Sequence, residues 1–144
     1  MKNLKCYFKK AIYIVVFTGF GISNAGPYED FFRAIKNDDA TSIEKLLTRG
    51  FDANTLDPQK QHGLIVAIRE PSPKAAVALL NAPKINLNAF NALGESPLML
   101  AALSGQLTLS EKLVKKGADV NKTGWTPLHY AASNGHVEVI KLLL

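Results

Sequence analysis

Cysteine is nearly absent from this sequence: Cys6 is the only one among 144 residues. A single thiol cannot close an intramolecular disulfide or supply the paired thiolates of a structural zinc site. The three histidines, His62, His129 and His136, form no H-x-x-x-H or H-E-x-x-H pair. We therefore expect no disulfide and no metal site, and no motif predicts a cofactor.

Catalytic signatures are missing as well. No G-x-S-x-G elbow and no phosphate-cradling glycine loop occurs. Ser133 with His129 or His136 can be drawn as a nucleophile and base, but no oxyanion-hole signature or orienting acid accompanies them. We expect a non-catalytic protein and keep a hydrolase using Ser133 as a remote alternative.

Positive charge is concentrated at the start of the chain. The sequence has 17 Lys and Arg, 12 Asp and Glu, and a formal net charge of +5. Lys2, Lys5, Lys9 and Lys10 account for four of the basic residues, so thirteen remain against twelve acidic ones after residue 25. A balance of +1 lacks the concentrated positive face that nucleic-acid binding requires. We therefore expect no nucleic-acid partner.

The first 25 residues have the organisation of a secretory signal peptide. Their lysines precede the uncharged run AIYIVVFTGF and the small-residue triplet Ser23-Asn24-Ala25. A basic start, a short apolar run and small residues at −3 and −1 are typical of cleaved signals. The alternative, a retained anchor, would need roughly 18 to 20 apolar residues to cross a bilayer. We expect cleavage after Ala25, a periplasmic or secreted product, and no membrane contact beyond the signal peptide.

The remainder of the chain repeats with a period close to 33 residues, since Leu64, Leu98 and Leu128 are 34 and 30 positions apart. The aligned segments are AIKNDDATSIEKLLTRGFDAN, AIREPSPKAAVALLNAPKINLN, AALSGQLTLSEKLVKKGADVN and AASNGHVEVIKLLL. Each contains a short apolar segment, a break, and an apolar pair eight residues later. The pattern predicts two short antiparallel helices and an extended loop per unit. Because such helices are unstable alone, the units must stack and complete one another's core. The breaks are at Asp38, Pro71, Gly105 and Gly135.

The last unit carries the most specific motif. The stretch GWTPLHYAASNGHVEVIKLLL resembles the ankyrin repeat, and KKGADVN resembles the hairpin that joins such repeats. The third unit matches well, and the second and first match progressively less. The resemblance implies an all-α repeat solenoid of stacked helix-turn-helix units joined by β-hairpin-like loops. The implied organisation is a signal peptide at 1–25 and an ankyrin domain at 26–144, divided into a capping unit (28–54), two repeats (55–88 and 89–121) and an incomplete repeat (122–144).

The residues of this motif have structural reasons of their own. Thr126 is expected to cap its helix through the hydroxyl, and Pro127 suits the first helical position. The resemblance implies that His129 bonds the Thr126 hydroxyl and ties repeat to repeat. His62-Gly63 in the second unit predicts a weaker cap. The predicted structural set is Ser96, Pro97, Gly105, Thr126, Pro127, Leu128, His129 and Gly135.

The spacing of the repeats places a final glycine near position 147, whereas the sequence ends at Leu144. We expect an apolar stripe on the last helix that no capping repeat covers, formed by Val139, Ile140, Leu142 and Leu143. Terminal repeats need a polar outer face. The stripe predicts an incomplete chain or self-association through this helix.

Ankyrin stacks resemble one another in binding proteins on a concave surface made by loop tips and inner helices. Trp125, Phe90 and Leu93 are either half-buried in the loops or exposed anchors for a partner, whereas Lys112, Lys115 and Lys116 are expected to form a solvated outer face. Matched position by position, the surface, called here the candidate surface, consists of Leu56, Pro58, Gln59, Gln61, Arg69, Glu70, Phe90, Ala92, Leu93, Glu95, Leu103, Ser104, Trp125, Ser133 and Asn134. Its mixed character favours a protein partner. The sequence thus predicts an exported protein-interaction module, or alternatively an inhibitor or immunity protein that blocks an enzyme or toxin.

Overall fold

The computed structural model describes residues 26–144, so the predicted signal segment 1–25 lies outside the described residues. The described part consists of eight α-helices in four successive pairs, which confirms the predicted all-α repeat architecture. None of these helices is long and apolar enough to cross a membrane. The pairs are α1 Pro27–Lys36 with α2 Ala40–Thr48, α3 Gly63–Arg69 with α4 Pro73–Leu80, α5 Pro97–Leu103 with α6 Leu107–Lys115, and α7 Pro127–Ser133 with α8 Val137–Leu143.

The pairs stack in two layers. Helices α1, α3, α5 and α7 pack against one another in sequence, and α2, α4, α6 and α8 do the same. Leu64 and Leu98, at equivalent positions of α3 and α5, are fully buried between neighbouring pairs. Leu128, their counterpart in α7, is only half-buried because α7 and α8 form the last described pair. Burial at this position of the repeat therefore depends on having a neighbour on both sides.

An aromatic cluster fills the junction between the first and second units. Phe31 is fully buried, and its ring centroid lies 5.2 Å from that of Phe32 and 4.7 Å from that of Phe51. A Cβ atom at Gly63 would come within 3.0 Å of the side chains of Phe31 and Ile35. Glycine therefore replaces the proline that begins α5 and α7, because α3 must approach this cluster closely.

The turn between the two helices of a unit uses a left-handed residue in three of the four units. Gly105 and Gly135 have φ values of 65° and 69°, and Asp38 takes the same conformation at 53°. Proline cannot adopt a positive φ, so the second unit breaks its helix with Pro71 and starts the next one at Pro73. The predicted breaks are thus confirmed by two different local mechanisms.

A left-handed residue also follows the second helix in the first three units. Gly50 and Gly117 have φ values of 90° and 92°, as expected for glycine just past a helix. Lys84 takes their place in the second unit with a φ of 60°. A residue other than glycine is strained in this left-handed region, because its Cβ comes too close to the following carbonyl oxygen. The strain at Lys84 was not predicted from the sequence.

Asparagine side chains join the loops of adjacent units. Asn54 accepts a hydrogen bond from the backbone N–H of Asn86 at 2.8 Å and donates one to the carbonyl of Lys84 at 2.9 Å. Asn88, one repeat further on, accepts from the N–H of Asp119 at 2.8 Å. These bonds satisfy backbone groups of the loops, so they fix the spacing between units.

The tips of the first two loops are hairpin-like turns of the same design. Asp57 accepts hydrogen bonds from the N–H groups of Gln59 and Gln61, and Asn91, 34 residues later, accepts from those of Leu93 and Glu95. The third loop is three residues shorter than the second, because two residues separate Asn121 from Gly124 where five separate Asn88 from Gly94. An acidic or amide side chain at the start of each turn therefore sets the shape of the first two tips.

The last helix differs from the sequence expectation. Val139 is fully buried against the third unit, so it does not belong to the predicted uncovered stripe. Ile140, Leu142 and Leu143 are half-buried. Leu143 packs against the main core and against a small buried cluster formed by Ala102, Ala131 and Val139. The prediction failed at Val139 because the register of α8 turns this residue toward α6 and α7.

Candidate protein-binding surface

The candidate surface is largely open to solvent. All its members are exposed except Gln61, Glu95 and Leu103, which are half-buried. The large apolar members differ in exposure: Phe90 is 47% exposed, Trp125 62% and Leu93 82%. Lys112, Lys115 and Lys116 are exposed on the other layer of helices, as predicted.

The first part of the candidate surface borders two adjoining cavities. They have volumes of about 370 and 260 Å³ and lie between α1, α3 and the first loop. Both are lined by Lys36, Asp57, Gln59 and Val66. The backbone N–H bonds that Asp57 accepts hold the loop over this groove. Lys36 and Val66 were not predicted from the sequence, because the groove forms only when α1 and α3 are side by side.

Arg69 and Gln61 form a hydrogen-bonded pair on the same part of the surface. The guanidinium of Arg69 donates to the side-chain oxygen of Gln61 at 2.9 Å. The hydroxyl of Tyr28 donates to the carbonyl of Leu56 at 3.1 Å, and Leu56 forms an isolated antiparallel bridge with His62. These bonds order the first loop against α1 and α3, so this part of the surface is preformed.

Phe90 is engaged by a lysine of the next loop. The ammonium of Lys122 lies 4.1 Å from the centroid of the Phe90 ring and donates a hydrogen bond to the carbonyl of Gly94 at 2.7 Å. This cation–π contact covers one face of the ring. Phe90 is therefore partly used within the fold, and Lys122 connects the shortened third loop to the second. Lys122 was missed because contacts between loops depend on the stacking.

Trp125 is an exposed side chain and is not half-buried in the loops, while its role as an anchor for a partner stays a prediction. Its ring centroid lies 5.6 Å from that of His129 and 5.8 Å from that of Tyr130, the latter at an interplanar angle of 74°. Both contacts are to its own unit. The indole thus rests on α7 and keeps 62% of its surface open. Tyr130 was not among the predicted surface residues.

The second loop holds an acidic side chain next to these rings. Asn91 donates from its side-chain nitrogen to Oε2 of Glu95 at 2.7 Å, while its oxygen accepts from the Glu95 N–H at 2.9 Å. Burial raises the pKa of the Tyr130 hydroxyl, and the charge of the nearby Glu95 carboxylate raises it further. Glu95 is therefore near Tyr130, which in turn contacts Trp125, along one edge of the candidate surface.

Asn134 is used to connect units. Its side-chain nitrogen donates to the carbonyl of Leu103 in the preceding unit at 2.9 Å, and Nε2 of His136 lies 2.9 Å from the same oxygen. The amide that we predicted for partner contact thus stabilises the stack, and its contact with a partner stays a prediction. His136 also covers Gly105, where a Cβ would lie 2.5 Å from its ring.

His129 has a narrower role than expected. Its Nδ1 lies 2.8 Å from the Thr126 hydroxyl and accepts the Thr126 N–H at 3.2 Å, so the predicted bond to Thr126 is confirmed. Both contacts are within one unit. Neither of these bonds therefore ties one repeat to the next, as we had expected of His129. The inter-unit role belongs to Asn134 and His136, because the start of α8 is next to the end of α5.

The geometry does not assemble the hydrolase alternative. The Ser133 hydroxyl donates to the carbonyl of Tyr130 at 2.8 Å. His129 bonds Thr126 and His136 bonds Leu103, so neither imidazole is aligned with the serine as a base. Within residues 26–144, no group of three or more His, Cys, Asp or Glu is placed to hold a metal ion.

Comparison with known proteins agrees with the repeat architecture. The model of the family described as ankyrin repeats (3 copies) matches residues 31–123 and 76–144. The chain is 48% identical over 63 residues to the rat ankyrin repeat and SAM domain-containing protein 6, which is 41% of this chain and 7% of that protein. It is 36% identical over 80 residues to the mouse protein phosphatase 1 regulatory subunit 27, covering 54% of this chain and 52% of the relative. It is 33% identical over 93 residues to the human Notch-regulated ankyrin repeat-containing protein, covering 60% and 82%.

The chain belongs to the ankyrin-repeat family. Members of this family are generally non-catalytic and mediate protein–protein interaction. The chain spans a small fraction of the first of these relatives and about half of the second. The likeness therefore concerns the repeat domain.

Proposed function

We propose that the chain is a protein-interaction module that holds a protein partner on the candidate surface. The observation that carries the proposal is the exposure of Leu93 and Trp125, at 82% and 62%, on neighbouring loops. Large side chains in this state contribute little to the core but gain from burial in an interface, where tryptophan is enriched among hot spots. The name of the mouse relative describes a regulatory subunit of a phosphatase, which supports action through binding.

The preformed loops favour this function. The turns held by Asp57 and Asn91 and the Arg69–Gln61 pair fix side chains before a partner arrives. Ordering these groups in advance lowers the entropy lost on binding. A rigid surface that mixes apolar and polar groups is what a protein interface requires.

The test is to identify a partner by crosslinking the full chain in the cells that make it, and then to measure the affinity of the purified pair. Leu93→Ala and Trp125→Ala should each weaken binding about tenfold or more, as truncated hot spots do. Lys112→Ala and Lys115→Ala, on the outer helix α6, are the matched controls and should leave the affinity unchanged. Unchanged affinity in both surface variants, with thermal unfolding like that of the wild type, would overturn the proposal.

We further propose that the chain is exported to the periplasm or the medium. The support is the sequence of residues 1–25, with its basic start, apolar run and small residues before Gly26. Expression in a Gram-negative bacterium, followed by fractionation and N-terminal sequencing, should give an exported product that begins at Gly26. A Val15→Arg/Val16→Arg variant should stay in the cytoplasm. A wild-type product that keeps Met1 and stays in the cytoplasm would contradict export.

A further inference from the structure

We infer that Trp125, Tyr130 and Glu95 form a receptor site for one basic side chain of the protein partner, an arginine in preference to a lysine. The inference rests on the proposed function and names the chemistry of the partner at one edge of the candidate surface. It requires an open aromatic face, a carboxylate fixed beside it, and no cation of the chain already in place.

The aromatic face is provided by Trp125. Tyr130 supports the indole in an edge-type contact, with centroids 5.8 Å apart and planes at 74°. This contact uses a small part of the indole, and 62% of the side chain remains exposed. An exposed tryptophan face is the preferred aromatic partner of a guanidinium or ammonium group.

The carboxylate is provided by Glu95, and the loop fixes its position. Asn91 holds Oε2 through a 2.7 Å hydrogen bond. The oxygen of Asn91 is in turn fixed by the N–H groups of Leu93 and Glu95, both at 2.9 Å. Because Glu95 is half-buried, its charge is screened less by water than that of a fully exposed carboxylate.

Tyr130 links the two binding groups. Its ring contacts the indole of Trp125. The loop that carries Glu95 lies beside the loop that carries Trp125, because Lys122 binds the carbonyl of Gly94 at 2.7 Å and α5 packs against α7. Burial raises the pKa of the Tyr130 hydroxyl, and the negative charge of Glu95 raises it further. The negative charge of Glu95 is therefore felt at the ring on which Trp125 rests. A cation stacked on the indole would lie within the same electrostatic field.

The cations of the described part of the chain leave this site open. Across residues 26–144, the ion pairs are Arg33 with Asp30 and Lys141 with Glu138, so Glu95 takes part in none. Lys122 reaches the second loop but binds the Gly94 carbonyl and the Phe90 ring. A cation already stacks on an aromatic ring of this surface, and the proposed site offers a second ring with a carboxylate beside it.

Arginine fits these groups better than other side chains do. Its planar guanidinium can stack on an indole while its N–H groups bind a carboxylate, which an ammonium does less well. A glutamate or aspartate of a partner would be repelled by Glu95. The site therefore contributes specificity as well as affinity to the interface.

The site can be tested with the full chain and a synthetic tetra-arginine peptide, using Trp125, the only tryptophan, as a fluorescent probe. The control peptide is tetra-citrulline, which has nearly the shape of the arginine peptide but no charge. The variants are Glu95→Gln, which removes the charge at constant size, and Glu111→Gln, which removes an exposed charge on the outer helix α6.

The expected result is a saturable change in Trp125 fluorescence with tetra-arginine and a much weaker one with tetra-citrulline. Glu95→Gln should lower the affinity for the arginine peptide about fivefold, in line with one partly screened charge contact. Glu111→Gln should leave this affinity unchanged. Equal affinity of Glu95→Gln and wild type, equal binding of the two peptides, or no saturable change at millimolar concentrations would overturn the inference.

Failure of this site would be distinguishable from failure of the proposed function. Suppose that Leu93→Ala and Trp125→Ala lower the affinity for the natural partner, while Glu95→Gln changes neither the partner's nor the peptide's affinity. The proposed interaction module then stands and the arginine site is wrong. If the first two variants leave the partner's affinity unchanged, the proposed function fails whatever the peptide does.

Discussion

The carboxylate of Asp38 in the first unit accepts a hydrogen bond from the backbone N–H of Ala75 in the second unit, at 2.8 Å. Ala75 is in the first turn of α4, where the N-cap residue Ser72 makes no side-chain cap bond. The cap of α4 is therefore supplied by the neighbouring repeat. A left-handed backbone at Asp38 places the carboxylate there, so one residue forms the turn of its own unit and caps the next.

Removing this inter-unit cap should destabilise the fold. Asp38→Ala is expected to lower the free energy of unfolding by about 1 to 2 kcal/mol, the range for loss of a helix cap. Asp38→Asn is the matched control, because its side-chain oxygen can still accept the bond and asparagine tolerates a positive φ. Urea denaturation of both variants measures the difference. Equal destabilisation by the two substitutions would contradict the role of the acceptor.

Lys84 should be a site where glycine stabilises the protein. Lys84 has a φ of 60° and occupies the repeat position that Gly50 and Gly117 occupy in other units. Lys84→Gly is expected to raise the free energy of unfolding by about 1 kcal/mol, since the relief of left-handed strain exceeds the entropy that glycine adds to the unfolded chain. Lys84→Ala keeps a Cβ and should give no such gain. A gain with alanine as large as that with glycine would show that the strain is not the cause.

Two buried serines should respond in opposite ways to the same substitution. The Ser110 hydroxyl is buried in α6 without a hydrogen-bond partner among the described residues, whereas the Ser96 hydroxyl accepts the N–H of Met99 at 3.2 Å. Ser110→Ala should stabilise by up to about 1 kcal/mol, because an unsatisfied buried group is removed and alanine is a better helix former. Ser96→Ala should destabilise by about 1 kcal/mol through loss of the cap. Differential scanning calorimetry compares the two, and a loss of stability in Ser110→Ala would refute the assignment.

His62 should make the stability depend on pH. Burial lowers the pKa of its imidazole below the ordinary value of 6.5, and the charge of Asp52 opposes the shift only in part. Among residues 26–144, Nδ1 of His62 is buried without a hydrogen-bond partner. Because the folded state binds the proton less well than the unfolded state, the contribution of His62 is fully present above pH 6.5 and is lost as the pH falls below it.

The measurement is urea unfolding of the wild type and of His62→Thr between about pH 5 and pH 8, a range in which most carboxylates stay ionised. Threonine is the residue at the equivalent N-cap of α7, Thr126. The wild type should lose stability toward pH 5 more steeply than His62→Thr. Parallel curves for the two proteins would rule out this role for His62.

The sequence predicted the parts of the fold that use repeated local chemistry. Gly105 and Gly135 marked the turns, Ser96-Pro97 and Thr126-Pro127 marked the helix starts, and the fold has all of them where expected. The left-handed roles of Asp38 and Lys84 were not predicted, because residues with side chains rarely adopt that conformation. Only an alignment of backbone positions reveals them.

The contacts that join units were beyond sequence reasoning for a different reason. The Asp38–Ala75 bond links residues 37 positions apart, and the Lys122–Gly94 bond links residues 28 apart. Such pairs depend on the lateral register of stacked helices, which the period alone does not give. The same register buries Val139 and uses Asn134 within the stack. Leu93 and Trp125 were identified as candidates from their positions in the repeat, but their exposure needed the structure.

The most direct test of the candidate surface as an interface is hydrogen–deuterium exchange of the full chain with and without its purified partner. If the candidate surface is the interface, binding should slow exchange in the second and third loops, at residues 90–95 and 122–130, and leave the amides of α2, α4 and α6 unchanged. Protection confined to α2, α4 and α6, with the loop tips exchanging as fast as in the free protein, would contradict the claim that this repeat stack works through its loops and inner helices.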